Sequence, residues 1–153
     1  MDYSQNSGDV QMNEVFADTS GWASFFREQE RHHARAVALM TQWQSENRHV
    51  VTTNYVLGEL IALCERLRVP RSRGVSYIQS IRAETWIDIV HIDEQLDVRA
   101  WELLENRLDK TWSLVDCASF VVMEQRDLTD ALTTDHHFEQ AGFVRLLQLD
   151  THA

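Results

Sequence analysis

The chain is poor in the residues that break or cross-link a fold. Its 153 residues include one proline, five glycines and two cysteines, and no linker, internal repeat or low-complexity segment interrupts it. The cysteines, Cys64 and Cys117, form no CxxC pair and have no set of histidines nearby, which argues against a disulfide framework or a zinc site. We expect both to be buried as small apolar side chains in a reducing cytosol.

Long apolar runs are also missing. The longest are far too short to cross a bilayer, and the first residues lack the basic-then-apolar pattern of a signal peptide. Apolar residues make up 44% of the chain and charged residues 25%, which are ordinary values for a globular domain. The composition therefore predicts one cytoplasmic domain without a membrane span.

Positive charge is scarce, and lysine is nearly absent. The formal net charge is −10, and Lys110 is the only lysine beside the arginines. This balance argues against a protein that holds nucleic acid by bulk electrostatic attraction. It is compatible with an enzyme that recruits divalent cations to a cluster of acids, because the cations supply positive charge where a phosphate must lie.

Four arginines nevertheless fall close together in the sequence. Such a group predicts either a solvated helix end or a contact with a phosphate backbone, to which the planar guanidinium is well suited. The sequence leaves both explanations open. These residues are Arg66, Arg68, Arg71 and Arg73.

Apolar patterning divides the chain into a tail and one domain. Residues 1–12 are polar without periodicity and predict a flexible tail, and residues 13–150 predict a folded domain. Short apolar strands alternate there with helices, which predicts an α/β sandwich with a mainly parallel central sheet of four to five strands. The predicted strands are 15–17, 49–52, 86–91, 131–134 and a weaker 143–147. The predicted helices are 20–27, 32–47, 54–68, 71–83, 93–108 and one that Ser113 caps.

Two acids, Asp18 and Asp135, follow predicted strands. Asp18 comes directly after the apolar run VFA, and Asp135 comes directly after ALTT. Because the carboxyl ends of parallel strands share one edge of a sheet, where ligands bind, these acids should lie near each other.

Two further acids lie at unusual positions on helices. Glu59 lies at the border of the apolar stripe of its helix, between the core and bulk water. From Leu114 to Met123, Asp116 is the only ionisable side chain apart from Cys117, in a helix that is apolar all round and should be buried. A buried carboxylate needs a partner, and a metal ion is one. Four acids that converge on one sheet edge would repel each other unless cations lie among them.

Helix capping offers another explanation of the same acids. Ser113 and Asp116 fit the S-x-x-D capping box, in which the acid satisfies backbone donors at a helix start. Asp18 and Asp135 could likewise be helix N-caps. Each acid taken singly favours capping, whereas the four together favour a shared site.

Four segments of the chain resemble PIN-domain proteins of the VapC toxin type. With the length and the order of elements, the resemblance covers about residues 13 to 150. The third and fourth segments are the most specific, because they combine an acid, its hydroxyl neighbour and a run of surrounding residues. The segments are VFADTSGW at 15–22, TTNYVLGEL at 52–60, DKTWSLVDCASFVVM at 109–123 and ALTTDHHFEQAGF at 131–143.

The resemblance implies a PIN-like three-layer sandwich with four carboxylates in the active site. Ser113 matches the hydroxyl that neighbours the third acid, and Thr19 or Ser20 matches the polar residue after the first. None of the four acidic positions is replaced. The implied catalytic and metal-binding residues are Asp18, Glu59, Asp116 and Asp135.

By the same resemblance, the chain is expected to be a metal-dependent endoribonuclease. Members of this family cut RNA with Mg²⁺ or Mn²⁺ and usually pair with a small antitoxin protein. Carboxylates hold such hard cations with open coordination positions, and a metal-bound water becomes hydroxide near neutral pH, so no nucleophilic side chain is needed. We expect a homodimer. Apolar residues between Val56 and Tyr77 predict a groove that captures an antitoxin helix.

Histidine and lysine have no required role in this scheme. The pairs His32–His33 and His136–His137 are expected at the surface or at helix caps. Lys110 fits either a contact with the scissile phosphate or a salt bridge to Asp109.

Two other functions fit the residues less well. An aspartate-nucleophile phosphatase would need a second Asp two positions after the first, where this chain has Ser20. A PIN-like module that binds metal, RNA or a partner without turnover is an alternative that the complete set of four acids disfavours.

Overall fold

A computed structural model of the chain describes residues 14–149. The predicted tail, residues 1–12, and the two ends of the predicted domain, 13 and 150, lie outside the described residues. The described strands are β1 (Glu14–Ala17), β2 (His49–Thr53), β3 (Ile87–Val90), β4 (Asp130–Leu132) and β5 (Val144–Arg145). The described helices are α1 (Thr19–Phe26), α2 (His33–Ser45), α3 (Asn54–Arg66), α4 (Arg71–Ala83), α5 (Glu94–Asn106), α6 (Leu114–Gln125) and α7 (His137–Gln140).

All five described strands are parallel, which confirms the predicted fold class. They stand in the order β3-β2-β1-β4-β5. Val15 of β1 pairs with Val50 of β2 on one side, and Phe16 pairs with Ala131 of β4 on the other. The chain therefore builds outward from β1 to β3 in one direction and continues with β4 and β5 in the other. In such sheets ligands bind in the crevice beyond the carboxyl ends of the strands at this reversal, here between β1 and β4.

Helices cover both faces of the sheet. Successive side chains of a strand point to opposite faces, and the three consecutive residues Val15, Phe16 and Ala17 have no exposed surface. The same holds for Val50 and Val51 of β2. Strands buried on both faces lack the alternation of polar and apolar residues, which explains why these runs are continuously apolar.

Helix α6 is buried along most of its length. Every residue from Cys117 to Met123 is buried, as expected from a segment that is apolar all round. Cys64 and Cys117 are both free and buried. Burial raises the pKa of both thiols, that of Cys117 to about 11, with a further contribution from the charge of Asp116. Both thiols therefore stay protonated near neutral pH, as structural cysteines do.

The predicted elements are present, but one strand ends earlier than predicted and one further helix follows it. Strand β4 ends at Leu132 rather than at 134, so Thr133 and Thr134 belong to the loop that leads to Asp135. A four-residue helix, α7, follows at once and was not predicted, since one helical turn is too short to show a periodic pattern. No described helix is long and apolar enough to cross a membrane.

Candidate active site

The first acid, Asp18, stands between β1 and the N-terminus of α1. It is the N-cap of α1, and its Oδ1 accepts a hydrogen bond from the backbone N–H of Gly21 at 2.9 Å. The helix start lies directly against β4: a Cβ on Gly21 would stand 1.9 Å from the carbonyl oxygen of Leu132. Only glycine allows this approach, which brings Asp18 beside the loop that follows β4.

Asp18 is held by hydroxyl groups as well as by the helix backbone. Ser20 Oγ donates to its Oδ1 at 2.8 Å, and Thr133 Oγ1 donates to its Oδ2 at 2.8 Å. Burial nevertheless raises the pKa of Asp18 to about 7, against the effect of these hydrogen bonds and with a further contribution from the charge of Asp135. A cation beside this carboxylate would compensate the lost hydration.

Glu59 meets the start of α1 from the neighbouring helix α3. Thr19 Oγ1 donates a hydrogen bond to Glu59 Oε1 at 2.5 Å. The Glu59 side chain is half-buried, as its place at the border of the apolar stripe predicted. Its Oε2 accepts no hydrogen bond from the described residues and so has a lone pair available for a ligand.

Asp116 has the capping role that the sequence allowed, and it also contacts a residue of another helix. It forms the predicted capping box: its backbone N–H donates to Ser113 Oγ at 3.0 Å, and its Oδ2 accepts from the Ser113 backbone N–H at 3.1 Å. The same Oδ2 lies 3.0 Å from Nδ1 of His137 on α7. Only 13% of the Asp116 side chain is exposed. Capping therefore explains how Asp116 is oriented without excluding a second function.

Asp135 is joined to the other acids through its own neighbours. The hydroxyl of Thr133, which donates to Asp18, accepts from the backbone N–H of Asp135 at 2.9 Å. The Asp135 carboxylate accepts the backbone N–H of His137 at 2.9 Å, and its Oδ2 lies 3.3 Å from the same His137 Nδ1 that faces Asp116. These contacts connect Asp18, Asp135 and Asp116 in one network at the crevice between β1 and β4.

The donor set fits a hard divalent cation. Mg²⁺ and Mn²⁺ prefer carboxylate oxygens, and the network brings several of them to one sheet edge. A carboxylate oxygen of Asp135 and ring nitrogens of His136 and His137 also lie within 4.8 Å of one another, a spacing at which they could hold a metal ion. Asp116 Oδ1 and Glu59 Oε2 accept no hydrogen bond from the part of the chain that the structure describes, so both are available as ligands.

Comparison with known proteins assigns this geometry to a family. A model of the PIN domain matches residues 15–144. The chain belongs to the PIN-domain family. It is 33% identical over 132 residues to the 23S rRNA-specific endonuclease VapC20 from two strains of Mycobacterium tuberculosis, covering 86% of this chain and 97% of the relative.

A solved structure of a PIN-domain relative has the same fold. It is the crystal structure of Mycobacterium tuberculosis VapC20, described as a sarcin-ricin loop cleaving toxin. The TM-score is 0.77 at 33% sequence identity, with 86% of this chain and 98% of that chain covered. The predicted family and the predicted α/β architecture are thus confirmed.

Two residues that contact the acids in this PIN domain were not predicted. Thr133 was assigned to a strand, although its hydroxyl bonds Asp18. His137 was expected at the surface or at a cap; this is wrong, because its side chain is only 16% exposed and lies between two acids. The expectation holds for His136, whose side chain is 63% exposed. His137 lies two residues after Asp135, and this proximity was the one, weak signal in the sequence.

The basic residues singled out in the sequence lie outside the acid network of this PIN domain. Lys110 Nζ lies 3.9 Å from Asp109, which agrees with the salt-bridge alternative. Arg71 pairs with Glu65, as in a solvated helix end. Arg68 and Arg73 line a cavity of about 490 Å³ that also contains Glu28.

Proposed function

We propose that this PIN domain is a metal-dependent endoribonuclease that hydrolyses RNA phosphodiester bonds as the toxin of a toxin–antitoxin pair. The observation that carries the proposal is the single network of acids and hydroxyls at the crevice between β1 and β4. An RNA substrate is supported by VapC20, a 23S rRNA-specific endonuclease by name. Because the cell's RNA is its substrate, we further propose that the protein acts in the cytoplasm.

Asp18, Glu59, Asp116 and Asp135 would hold Mg²⁺ or Mn²⁺ and serve as the catalytic residues. When bound, such an ion lowers the pKa of a coordinated water and stabilises negative charge on the scissile phosphate and its leaving oxygen. The acids orient and neutralise the cation. Their mutual repulsion disfavours any arrangement without positive charge among them.

The polar neighbours fix the direction of each carboxylate. Ser20, Thr133 and the N–H of Gly21 use three donors to hold Asp18, which leaves little freedom for it to rotate. Thr19 does the same for one oxygen of Glu59, and Ser113 for one oxygen of Asp116. Partners of this kind commonly change metal affinity or activity by about 10- to 100-fold when they are removed.

His137 acts as a positioning residue for two acids. Because carboxylate oxygens accept and do not donate, its Nδ1 carries the proton that Asp116 and Asp135 share. Its other nitrogen, Nε2, lies 3.2 Å from Thr111 Oγ1. Contacts at both nitrogens fix the orientation of the ring, so that the two carboxylates stay at one distance from each other.

A groove lined partly by α3, the helix that carries Glu59, supports a protein partner. It has a volume of about 600 Å³ between α3, α4 and β3, and its apolar walls include Leu57, Ile61, Val75 and Ile78. Val75 is 40% exposed. We propose that an antitoxin helix occupies this groove through its apolar face, and that the free toxin is a homodimer.

The groove offers a substitution that blocks it from within the helix. Nothing lies within 4 Å of a Cβ built on Gly58, which lines the groove. Gly58→Gln should weaken antitoxin binding while the free protein melts no lower, because glycine is a poor residue inside a helix. Calorimetric titration of Gly58→Gln with the antitoxin tests the groove, and binding as tight as that of the wild type would contradict this proposal.

Sedimentation of the free wild-type protein tests the homodimer, and a monomer at high concentration would contradict it.

The enzymatic proposal is tested by cleavage of an RNA hairpin that carries a sarcin-ricin sequence, with a single-stranded RNA beside it. Cleavage should require Mg²⁺ or Mn²⁺, stop with EDTA, and fall by about three orders of magnitude or more in Asp116→Asn, as expected when a group acting at the reacting centre is lost. Metal binding without cleavage of either RNA would instead assign the fold to a binding module. Undiminished cleavage by Asp116→Asn would remove this acid from the site.

A further inference from the structure

A depression lined by arginine lies beside the acid site. It is formed by the start of α2 and the segment that follows β5, and it consists of two adjoining hollows of about 680 and 320 Å³. We call it the basic depression. Its charged and titratable side chains are Arg31, His32, Arg35 and Arg145.

The charge of the basic depression is opposite to that of the protein. No carboxylate is among the described residues that line it, although the chain carries a net charge of −10. Arg31 and Arg35 are exposed and form no ion pair within the described range 14–149. By contrast, the arginine-lined cavity at Arg68 contains Glu28, and its Arg27 is paired with Glu30.

Hydrogen bonds connect the basic depression directly to the acid site. Arg145 Nη1 donates to the carbonyl oxygen of Thr134, the residue before Asp135, at 3.1 Å. The backbone N–H of Leu147 donates to the carbonyl oxygen of Thr133 at 3.1 Å. Glu139 holds the Arg145 guanidinium from the side at 3.0 Å. The hollow of about 320 Å³ that Arg31 lines thus also includes Thr134, the residue before Asp135.

The surface chemistry suits a nucleotide chain. Guanidinium groups bind phosphates, and the half-exposed apolar side chains of Val144 and Leu149 lie in the same depression. Burial and the nearby charges of Arg31, Arg145 and Arg35 lower the pKa of His32, which favours the neutral ring, and an imidazole ring can stack on a base. A polyglutamate peptide would use the arginines alone, whereas RNA would use both kinds of surface.

We infer that RNA bound for cleavage extends from the acid site across the basic depression, with Arg31 and Arg35 binding the backbone phosphates of nucleotides that flank the scissile bond. This inference rests on the proposed ribonuclease function and adds the path of the substrate to it. It also explains how a protein of net negative charge holds a polyanion: a local positive surface is enough where the chain must lie.

The test is the double variant Arg31→Gln/Arg35→Gln, with Arg99→Gln as its control. Arg99 is an exposed arginine on α5 that forms no ion pair among the described residues. For an RNA of about 20 nucleotides, the double variant should raise KM by about tenfold at low salt and leave kcat within about twofold. The slope of log KM against log salt should fall by about 1.4, because each phosphate contact on a single strand contributes about 0.7.

Two further measurements keep the outcome specific. A dinucleotide that spans only the scissile bond lacks the flanking phosphates that Arg31 and Arg35 would bind, so its cleavage should be equal in all three proteins. Because Arg35 Nε also donates to Leu146 O at 3.0 Å, the single variant Arg31→Gln is measured as well. Within the described residues Arg31 forms no side-chain hydrogen bond, so its loss leaves folding unchanged, and its melting curve should match that of the wild type.

Failure of this inference is separable from failure of the proposed function. RNA affinity measured by fluorescence anisotropy in Ca²⁺ reports the depression even if the wild type cleaves nothing. Affinity and KM equal to those of Arg99→Gln would overturn the inference. Unchanged RNA binding together with lost binding of a polyglutamate peptide would also overturn it, because the depression would then serve an acidic protein.

Discussion

The N-termini of helices α1 and α5 have the same local structure but lie in different environments. Asp18 caps α1 and Asp93 caps α5, both with extended backbone, and each accepts one N–H from the first turn at 2.9 Å. Asp93 is exposed, and it is followed by the acids Glu94 and Asp97 in its own first turn. Asp18 is buried and is bonded by Thr133, 115 residues away in the chain.

This difference indicates that the capping role of Asp18 is compatible with the site role that we propose for it. A cap gives a carboxylate a fixed direction at a helix start, whatever lies beyond it. At α5 the capping carboxylate is exposed, and among residues 14–149 it bonds only the N–H of Leu96, so we expect Asp93 to act as a cap alone. At α1 the cap lies in the crevice between β1 and β4, where the same direction points the acid at Asp135 and its neighbours.

The largest expected effect is on catalysis, where the two caps should differ most. Asp18→Asn should reduce RNA cleavage in Mn²⁺ by about three orders of magnitude or more, because it removes a charged metal ligand from the reacting centre. Asp93→Asn should leave the rate within about twofold, since Asn caps as well as Asp and no acid of the network contacts residue 93.

Single-turnover rates of the two variants and of the wild type decide this prediction. Equal, small effects of both substitutions would mean that Asp18 is only a cap. A large effect of Asp93→Asn would mean that the site extends to α5. Circular dichroism of all three proteins at the assay temperature excludes unfolding as the cause.

The second effect separates two adjacent histidines that the sequence treats alike. His137→Ala should weaken Mn²⁺ binding by about 10- to 100-fold, the usual loss when a group that orients metal ligands is removed. His137→Asn should recover most of the affinity, because its side-chain amide can donate where Nδ1 does. His136→Ala should change little, since the His136 ring is largely exposed and its Nδ1 comes no closer than 3.7 Å to the Asp135 carboxylate.

Mn²⁺ binding curves from calorimetry measure this order directly, without any cleavage. If His137→Ala binds Mn²⁺ as the wild type does, the residue has no positioning role. If His136→Ala shows the larger loss, His136 rather than His137 is the histidine that faces the metal.

The sequence pointed to the acids and to the hydroxyl groups of Thr19, Ser20 and Ser113 beside them, but not to Thr133 and His137. Asp18 follows an apolar strand and Asp116 interrupts an apolar helix, so local patterns mark both. Thr133 and His137 carry no such mark, because threonines and histidines beside a turn are common. Their roles depend on long-range packing, above all on the approach of Gly21 to Leu132, which no local pattern encodes.

The extent of burial explains why the strands could be predicted from the sequence and the last helix could not. Strands β1 and β2 are buried on both faces, so they appear as continuous apolar runs with sharp ends. Helix α7 has four residues, of which only Phe138 is buried. One buried residue in one helical turn gives no period, and the helix forms because the Asp135 carboxylate accepts the N–H of its first residue.

The smallest expected effect is on stability in the absence of metal, where replacing Asp18 should raise the melting temperature rather than impair the protein. The pKa of Asp18 is about 7 in the folded protein and 3.8 in the unfolded reference. Since the folded state binds the proton more tightly, this group stabilises the fold fully below pH 4 and loses that contribution as the pH rises through 7. In EDTA at pH 8, Asp18→Asn should therefore melt about 2–4 °C above the wild type, which corresponds to about 1 kcal/mol in a chain of this size. Asp93→Asn should melt with the wild type at every pH.

Saturating Mn²⁺ should reverse that order, because a ligand bound only by the folded state adds about 2.7 kcal/mol at a hundredfold excess over its dissociation constant. The wild type and Asp93→Asn should gain this stabilisation, and Asp18→Asn should gain much less. Melting curves of the three proteins at pH 5 and pH 8, each with EDTA and with Mn²⁺, contain the whole prediction. If Asp18→Asn and Asp93→Asn responded identically to pH and to Mn²⁺, the burial of Asp18 would affect neither its pKa nor metal binding. Asp18 would then be a helix cap like Asp93.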